Sequence, residues 1–167
     1  RKLTIALMAS AIAFAVATGA SAAEIAVIVK TVNSTFWQNV QKGADAAIAT
    51  AKGKHTMTFQ GPAAESAIAD EVNMVENAVN RKVGAILLAP SDPDALVPAV
   101  KKAWEARIPV VIIDSQLADG ADKYYQSFLA TDNRKAGELA AQAMIDKVGT
   151  TGKIAVMSYV AGAGSEI

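Results

Sequence analysis

Residues 84–114 read GAILLAPSDPDALVPAVKKAWEARIPVVIID and contain one complete strand–helix–strand pattern. The apolar runs at 84–89 and 109–113 predict two short strands that are buried on both faces. Between them, a Pro-Ser-Asp-Pro turn predicts the start of a helix, with Ser91 or Asp92 as its N-cap. Two buried strands joined by a helix are typical of a parallel βαβ unit.

The same alternation of apolar runs and helical patterns extends over the chain in both directions. Strands are also predicted at 25–29, 55–59, 124–130 and 153–159, and helices at 35–52, 64–81 and 131–148. Strand starts near 25, 55, 84 and 109 have the spacing of consecutive βαβ units. The sequence therefore predicts an α/β fold, a doubly wound parallel sheet with helices on both faces.

The first 22 residues differ in character from the rest. A basic pair at 1–2 precedes an uncharged apolar segment at 3–16, and small residues ending in Ala-Ser-Ala follow. This pattern is typical of a secretory signal peptide, and the apolar segment is short for a membrane span. A core helix or an anchor is the alternative. We expect residues 1–22 to be a signal peptide that is cleaved after Ala22.

The composition excludes several classes of protein. Of the 167 residues, 52% are hydrophobic, which suits a globular core rather than a disordered chain. Loss of the signal peptide leaves 14 basic and 16 acidic residues, so no basic excess points to nucleic acid. The absence of cysteine excludes a thiolate site and a lipid-modified cysteine. We expect a protein that is free in the periplasm of a Gram-negative bacterium.

Motifs for catalysis and for cofactors are missing. His55 is the single histidine, and it starts a predicted strand, at the edge of the sheet where ligands do not bind. A Gly-Ala-Gly at 162–164 lacks the rest of a dinucleotide fingerprint, and there is no phosphate loop. We predict that the protein is not an enzyme and that it uses no metal and no cofactor.

Polar and aromatic side chains follow the first predicted strand, where a parallel sheet binds its ligands. Asn33, Ser34, Phe36 and Trp37 combine an amide, a hydroxyl and two rings, a mixture that suits sugars. In the alternative, the rings anchor a helix in the core and Asn33 or Ser34 is only an N-cap. Because adjacent helical residues point about 100° apart, one ring can face the core and the other the cleft.

A second candidate lies after the fourth predicted strand. Asp114 and Ser115 follow the apolar run, and a carboxylate there could accept two charge-assisted hydrogen bonds from hydroxyl groups. A capping role for Asp114 is the alternative.

Four segments in this order resemble the type I periplasmic sugar-binding proteins, and their ribose-binding branch in particular. They are IAVIVKTVNSTFW at 25–37, ILLAPSDPDAL at 86–96, IPVVIIDSQ at 108–116 and TDNRKAG at 131–137. The resemblance implies two similar α/β lobes joined by a hinge, with the ligand clamped between them. It implies that 23–130 form the first lobe and that 131–167 contain the hinge crossing and the start of the second.

The resemblance also implies roles for single residues. Ser34 with the adjacent Asn33, the two rings and Asp114 match the ligand residues of the family. The ribose-type pattern has Arg where this chain has Ser115 and Ser where it has Lys30, which argues against ribose and leaves an anionic or amino-modified solute open.

The function that the resemblance implies is binding of a monosaccharide or related polyol by a monomer and its delivery to the permease of an ABC importer. A sugar sensor feeding a chemoreceptor or signalling kinase is one alternative, and an exported α/β enzyme acting on sugars is another. Because closure needs both lobes, we expect the chain as given to bind its solute weakly or not at all.

Overall fold

The computed structural model describes residues 22–157, and within that range five strands and four α-helices follow one another. The strands are β1 (Ala23–Ile28), β2 (His55–Gln60), β3 (Ala85–Leu88), β4 (Val110–Ile113) and β5 (Ser127–Leu129). The helices are α1 (Thr35–Thr50), α2 (Ile68–Asn80), α3 (Val97–Glu105) and α4 (Asn133–Val148), with a 3-10 turn at Asp122–Tyr124.

The five strands form one parallel sheet in the order β2-β1-β3-β4-β5. β1 lies between β2 and β3, so that Ile25 is paired with Met57 on one side and with Ala85 on the other. Because every pairing is parallel, each connection between consecutive strands is a crossover and not a hairpin, as the βαβ spacing predicted.

Helices cover both faces of this sheet. On one face, α2 and α3 pack their buried residues, Val75 and Val100 among them, against Ile28 and Ile112. On the other face, α1 packs against the alternate residues of the same strands. The predicted α/β class and doubly wound parallel sheet are confirmed.

The predicted N-cap of α3 is wrong. The helix begins at Val97, and its N-cap is Leu96, which has no side-chain capping bond. Asp92 accepts hydrogen bonds from the backbone N–H groups of Asp94 and Ala95 at 2.9 and 2.8 Å. It thus stabilises a turn that precedes the helix, because a short acidic side chain bonds nearby backbone equally well in a turn.

Two other boundaries differ from the prediction. Residues 153–157 form no strand, and the remainder of the predicted strand at 153–159 lies outside the described residues. These five residues are exposed, and a strand needs a neighbour for its backbone hydrogen bonds. β5 is shorter than the strand predicted at 124–130, because Tyr124 lies in the 3-10 turn and the strand begins only at Ser127. The predicted signal peptide, apart from Ala22, lies outside the described residues.

Candidate ligand-binding site

The carboxyl ends of β1 and β4 are joined by a buried lysine. Lys30 follows β1, and its Nζ lies 2.7 Å from Asp114 Oδ2 and donates to Ser115 Oγ at 2.6 Å. The Lys30 side chain is 4% exposed and that of Asp114 is 33% exposed. β3 separates β1 from β4 in the sheet, so the long lysine side chain carries its charge past the end of β3 to the partner carboxylate.

Ser115 completes this contact. Its hydroxyl accepts from Lys30 and donates to Asp114 Oδ2 at 3.0 Å. The ammonium and the carboxylate balance each other in charge, and the serine fixes their geometry from a buried position. The Asp114 carboxylate nevertheless remains partly open to solvent at the edge of the sheet.

The backbone at Asp114 adopts a conformation that few non-glycine residues occupy. Its φ is +67°, and the N–H of Ser115 donates to the carbonyl of Ile113 at 2.8 Å, which closes a γ-turn. The N–H of Asp114 donates to the carbonyl of Leu129 in β5 at 2.9 Å. A γ-turn with positive φ is strained, and such strain concentrates at functional sites where surrounding bonds enforce it.

A buried glutamate lies behind the lysine. Glu71 of α2 is fully buried, and its Oε2 accepts the backbone N–H of Ser91 at 3.0 Å. Burial raises the pKa of Glu71 to about 7, although hydrogen bonding to Ser91 and the charge of Lys30 oppose this rise. Glu71 Oε1 and Ser91 Oγ have no hydrogen-bond partner within the described structure.

The sequence indicated Lys30 only as a departure from the ribose-type pattern, and it did not indicate Glu71 or Ser91 as part of the site. For Glu71 a signal was present, because it lies three residues after Ile68 and four before Val75, on the apolar stripe of α2. A carboxylate in such a stripe is expected to be buried and hydrogen-bonded.

The first loop is held by hydrogen bonds to the connection between β2 and α2. Asn33 Nδ2 donates to the carbonyl of Ala63 at 2.9 Å, and Thr31 Oγ1 donates to the same carbonyl at 3.2 Å. Ser34 is the N-cap of α1, and its Oγ accepts the N–H of Phe36 at 3.2 Å. Ser34 therefore has the capping role that the sequence left open, whereas Asn33 ties two loops together.

The two rings of this loop have different surroundings. Trp37 is 3% exposed, lies in the core beside Val27 and Val29, and donates through Nε1 to Glu65 Oε1 at 3.3 Å. Phe36 is 58% exposed, and its ring meets that of Trp37 edge-to-face at 4.9 Å between centroids. One ring thus belongs to the core and supports a second ring that is open to solvent.

The structure therefore brings some predicted site residues into direct contact and leaves others apart. Asp114 and Ser115 contact Lys30, while the four residues of the first loop bond to the β2–α2 connection and to one another. Beside Asp114, a cleft of about 290 Å³ extends toward the start of α4; its other lining residues are Gln116, Phe128, Ala130, Thr131, Asp132, Asn133 and Arg134.

The opposite edge of the sheet carries none of these candidates. A cleft of about 410 Å³ lies there beside Trp104 and Arg107, and the exposed His55 begins β2 at the same edge. Across residues 22–157, no cluster of His, Asp or Glu side chains could hold a metal ion. None of the described helices has the length and apolar character to cross a membrane.

Comparison with known proteins agrees with this architecture. The family described as the periplasmic binding protein domain matches residues 25–166. The chain belongs to this family. A crystal structure from Agrobacterium vitis, an ABC transporter solute-binding protein with bound D-fucose, is 87% identical. It superposes with a TM-score of 0.82 over 86% of this chain and 49% of its own.

The curated relatives are named as sugar-binding proteins. The D-allose-binding periplasmic protein of Escherichia coli is 32% identical over 93% of this chain and 49% of its own length. The ribose import binding protein of Bacillus subtilis is 31% identical over 83% of this chain and 43% of its own length. The chain thus spans about half the length of the curated relatives it matches.

Proposed function

We propose that the full-length protein binds a monosaccharide in the periplasm and delivers it to the permease of an ABC importer, acting as a monomer and without chemical change of the sugar. The support from relatives is direct, since an 87% identical solute-binding protein holds D-fucose and curated relatives are named for allose and ribose. We propose residues 23–130 as its first lobe and 131–167 as the hinge crossing and the start of the second.

The contact between Lys30 and the partly open Asp114 carries this proposal. A sugar hydroxyl both donates and accepts, so one hydroxyl can donate to the carboxylate while it accepts from the ammonium. Because the two charges balance, the pair favours a neutral polyhydroxy ligand over an anionic or a cationic one.

The remaining predicted ligand residues fit the same proposal in different ways. Phe36 presents an exposed ring for the C–H face of a sugar, and the buried Trp37 holds that ring in place. Asn33 and Ser34 set the position of the loop, and we propose that their polar groups line the sugar site beside Asp114 and Ser115.

Isothermal titration calorimetry of the full-length protein with D-fucose, D-allose and D-ribose tests the proposal. We expect D-fucose to bind and to raise the melting temperature, because it binds only the folded state. Asp114→Asn should weaken binding by roughly 10-fold to 100-fold, the effect of losing a charged hydrogen-bond acceptor. Asp119→Asn, an exposed change in the same loop, is the matched control and should bind normally.

The proposal is wrong if none of these sugars binds to the folded full-length protein. It is also wrong if the bound sugar is converted to a product, since that outcome identifies an enzyme.

A further inference from the structure

Three charged side chains lie at decreasing exposure from the open edge of the sheet inward. Asp114 is partly exposed, Lys30 is buried and in contact with it, and Glu71 is fully buried on α2. The positive charge of Lys30 lowers the pKa of Glu71 against the larger effect of burial. The Lys30 ammonium therefore contacts the carboxylate at the ligand edge, and its charge also acts on Glu71, which is bonded to Ser91 beyond the end of the neighbouring strand β3.

Charge balance favours one protonation state of Glu71 when Lys30 is paired with Asp114. With Glu71 protonated, the charges of Lys30 and Asp114 cancel. With Glu71 ionised, two carboxylates share one ammonium, and an uncompensated charge in the interior is costly. Glu71 Oε1 has no hydrogen-bond partner within the described structure, so it can hold the proton without breaking the bond from Ser91 to Oε2.

The charged groups that act on Glu71 are few. The charge of Lys30, after the end of β1, lowers the pKa of Glu71, and the charge of Glu65, in the β2–α2 connection, raises it. From α3, which packs on α2, Lys102 pairs instead with Glu76 on the outer surface. Among the described groups, Lys30 is thus the only cation whose charge acts on Glu71.

We propose that Glu71 is a positioning residue whose proton keeps Lys30 on Asp114 and Ser115, so that sugar affinity falls as the pH rises and Glu71 ionises. This inference rests on the proposed function and deepens it. The ionised Glu71 carboxylate competes with Asp114 for the Lys30 ammonium and draws it away from the ligand edge. Sugar binding then takes up a proton at alkaline pH, because the bound state favours protonated Glu71.

Calorimetric titration of the full-length protein with D-fucose at pH 6 and pH 8 tests this. If only the protonated form binds, a pKa of about 7 makes the dissociation constant roughly tenfold larger at pH 8 than at pH 6. Glu71→Gln should remove this difference. Glu76→Gln, an exposed change on the same helix, should keep it.

The outcomes separate the two proposals. Absence of D-fucose binding at pH 6 contradicts the sugar-binding function itself. Binding at pH 6 with no weakening at pH 8, or weakening that persists in Glu71→Gln, overturns only the role of Glu71. If Glu71→Gln fails to fold, the wild-type protein still tests the role of Glu71. Titration with D-fucose at pH 8 in two buffers of different ionisation enthalpy measures the protons taken up on sugar binding. If no proton is taken up, the proposal is wrong.

A ligand-free measurement checks that Glu71 is the titrating group. Because its pKa is near 7 in the native state and about 4.5 in the unfolded state, its protonation stabilises the fold fully below pH 4.5. That stabilisation is lost as the pH rises through 7. The unfolding free energy of the wild type should fall relative to Glu71→Gln across this window, and a constant difference would overturn the proposal.

Discussion

Helices α1 and α4 each contain 16 residues, yet only α1 is packed. α1 buries Trp37 against the sheet, whereas α4 has no buried residue within the described structure. The apolar side chains of α4, including Leu139 at 60% exposure, face solvent. Asp132 still caps α4 by accepting the N–H of Lys135 at 2.8 Å. The local capping signal is thus present in both helices, and they differ in whether a partner surface covers them.

The largest difference between the packed and unpacked regions should come from one substitution made in both. Leu88→Ala removes a fully buried side chain of β3 and should lower the unfolding free energy of this chain by about 2–5 kcal/mol. Leu139→Ala removes an exposed side chain and should change it by less than about 0.5 kcal/mol. Urea denaturation followed by circular dichroism measures both. Equal losses would show that α4 is packed in solution.

A second pair of substitutions compares a lysine of the packed sheet region with a lysine of α4. Lys30→Met leaves Asp114 without its cation and should cost about 2–3 kcal/mol, below the full range for a buried pair because Asp114 is partly exposed. Lys135→Met breaks an exposed pair with Glu138 in α4 and should cost no more than about 0.5 kcal/mol. Denaturation at pH 7 in low salt measures both, and a neutral Lys30→Met would contradict a structural role for the buried pair.

The smallest effects on stability are expected from substitutions at two glycines, and the two effects should have opposite signs. A methyl group at Gly61 would lie 2.4 Å from the carbonyl oxygen of Val29, so Gly61→Ala should destabilise by about 1–3 kcal/mol. Gly137 in α4 has open space around it, and Gly137→Ala should stabilise by about 0.5–1 kcal/mol through helix propensity. Thermal unfolding measures both, and destabilisation by Gly137→Ala would indicate a neighbour that packs on α4.

The sequence was informative where periodicity decides structure. Short apolar runs predicted β1, β3 and β4, because a strand buried on both faces is apolar throughout, and an alternating pattern predicted β2. The position of Asp114 and Ser115 after such a run also placed them correctly at the carboxyl edge of the sheet. Both results depend on local pattern and on the general topology of parallel sheets.

The contact of Lys30 could not be found in that way, and for Glu71 the pattern indicated burial but not the neighbours. Lys30 is separated from Ser115 by 85 positions, and its contact exists only because the strand order brings their loops together. Glu71 acts through burial, which arises when α2 closes on the sheet. The predicted strand at 153–159 illustrates the opposite error, since an apolar run predicts a strand only where a neighbouring strand is present.

The central place of β1 in the sheet has a consequence for the order of folding. β1 is the first strand in the chain, but Ala23 pairs with His55 and Ile25 with Ala85. During synthesis the first strand therefore has no hydrogen-bonding neighbour until later strands have been made. Sheets built from such distant pairings form slowly. A chain of this topology consequently stays open for longer than one built from hairpins, because β1 must wait for both β2 and β3.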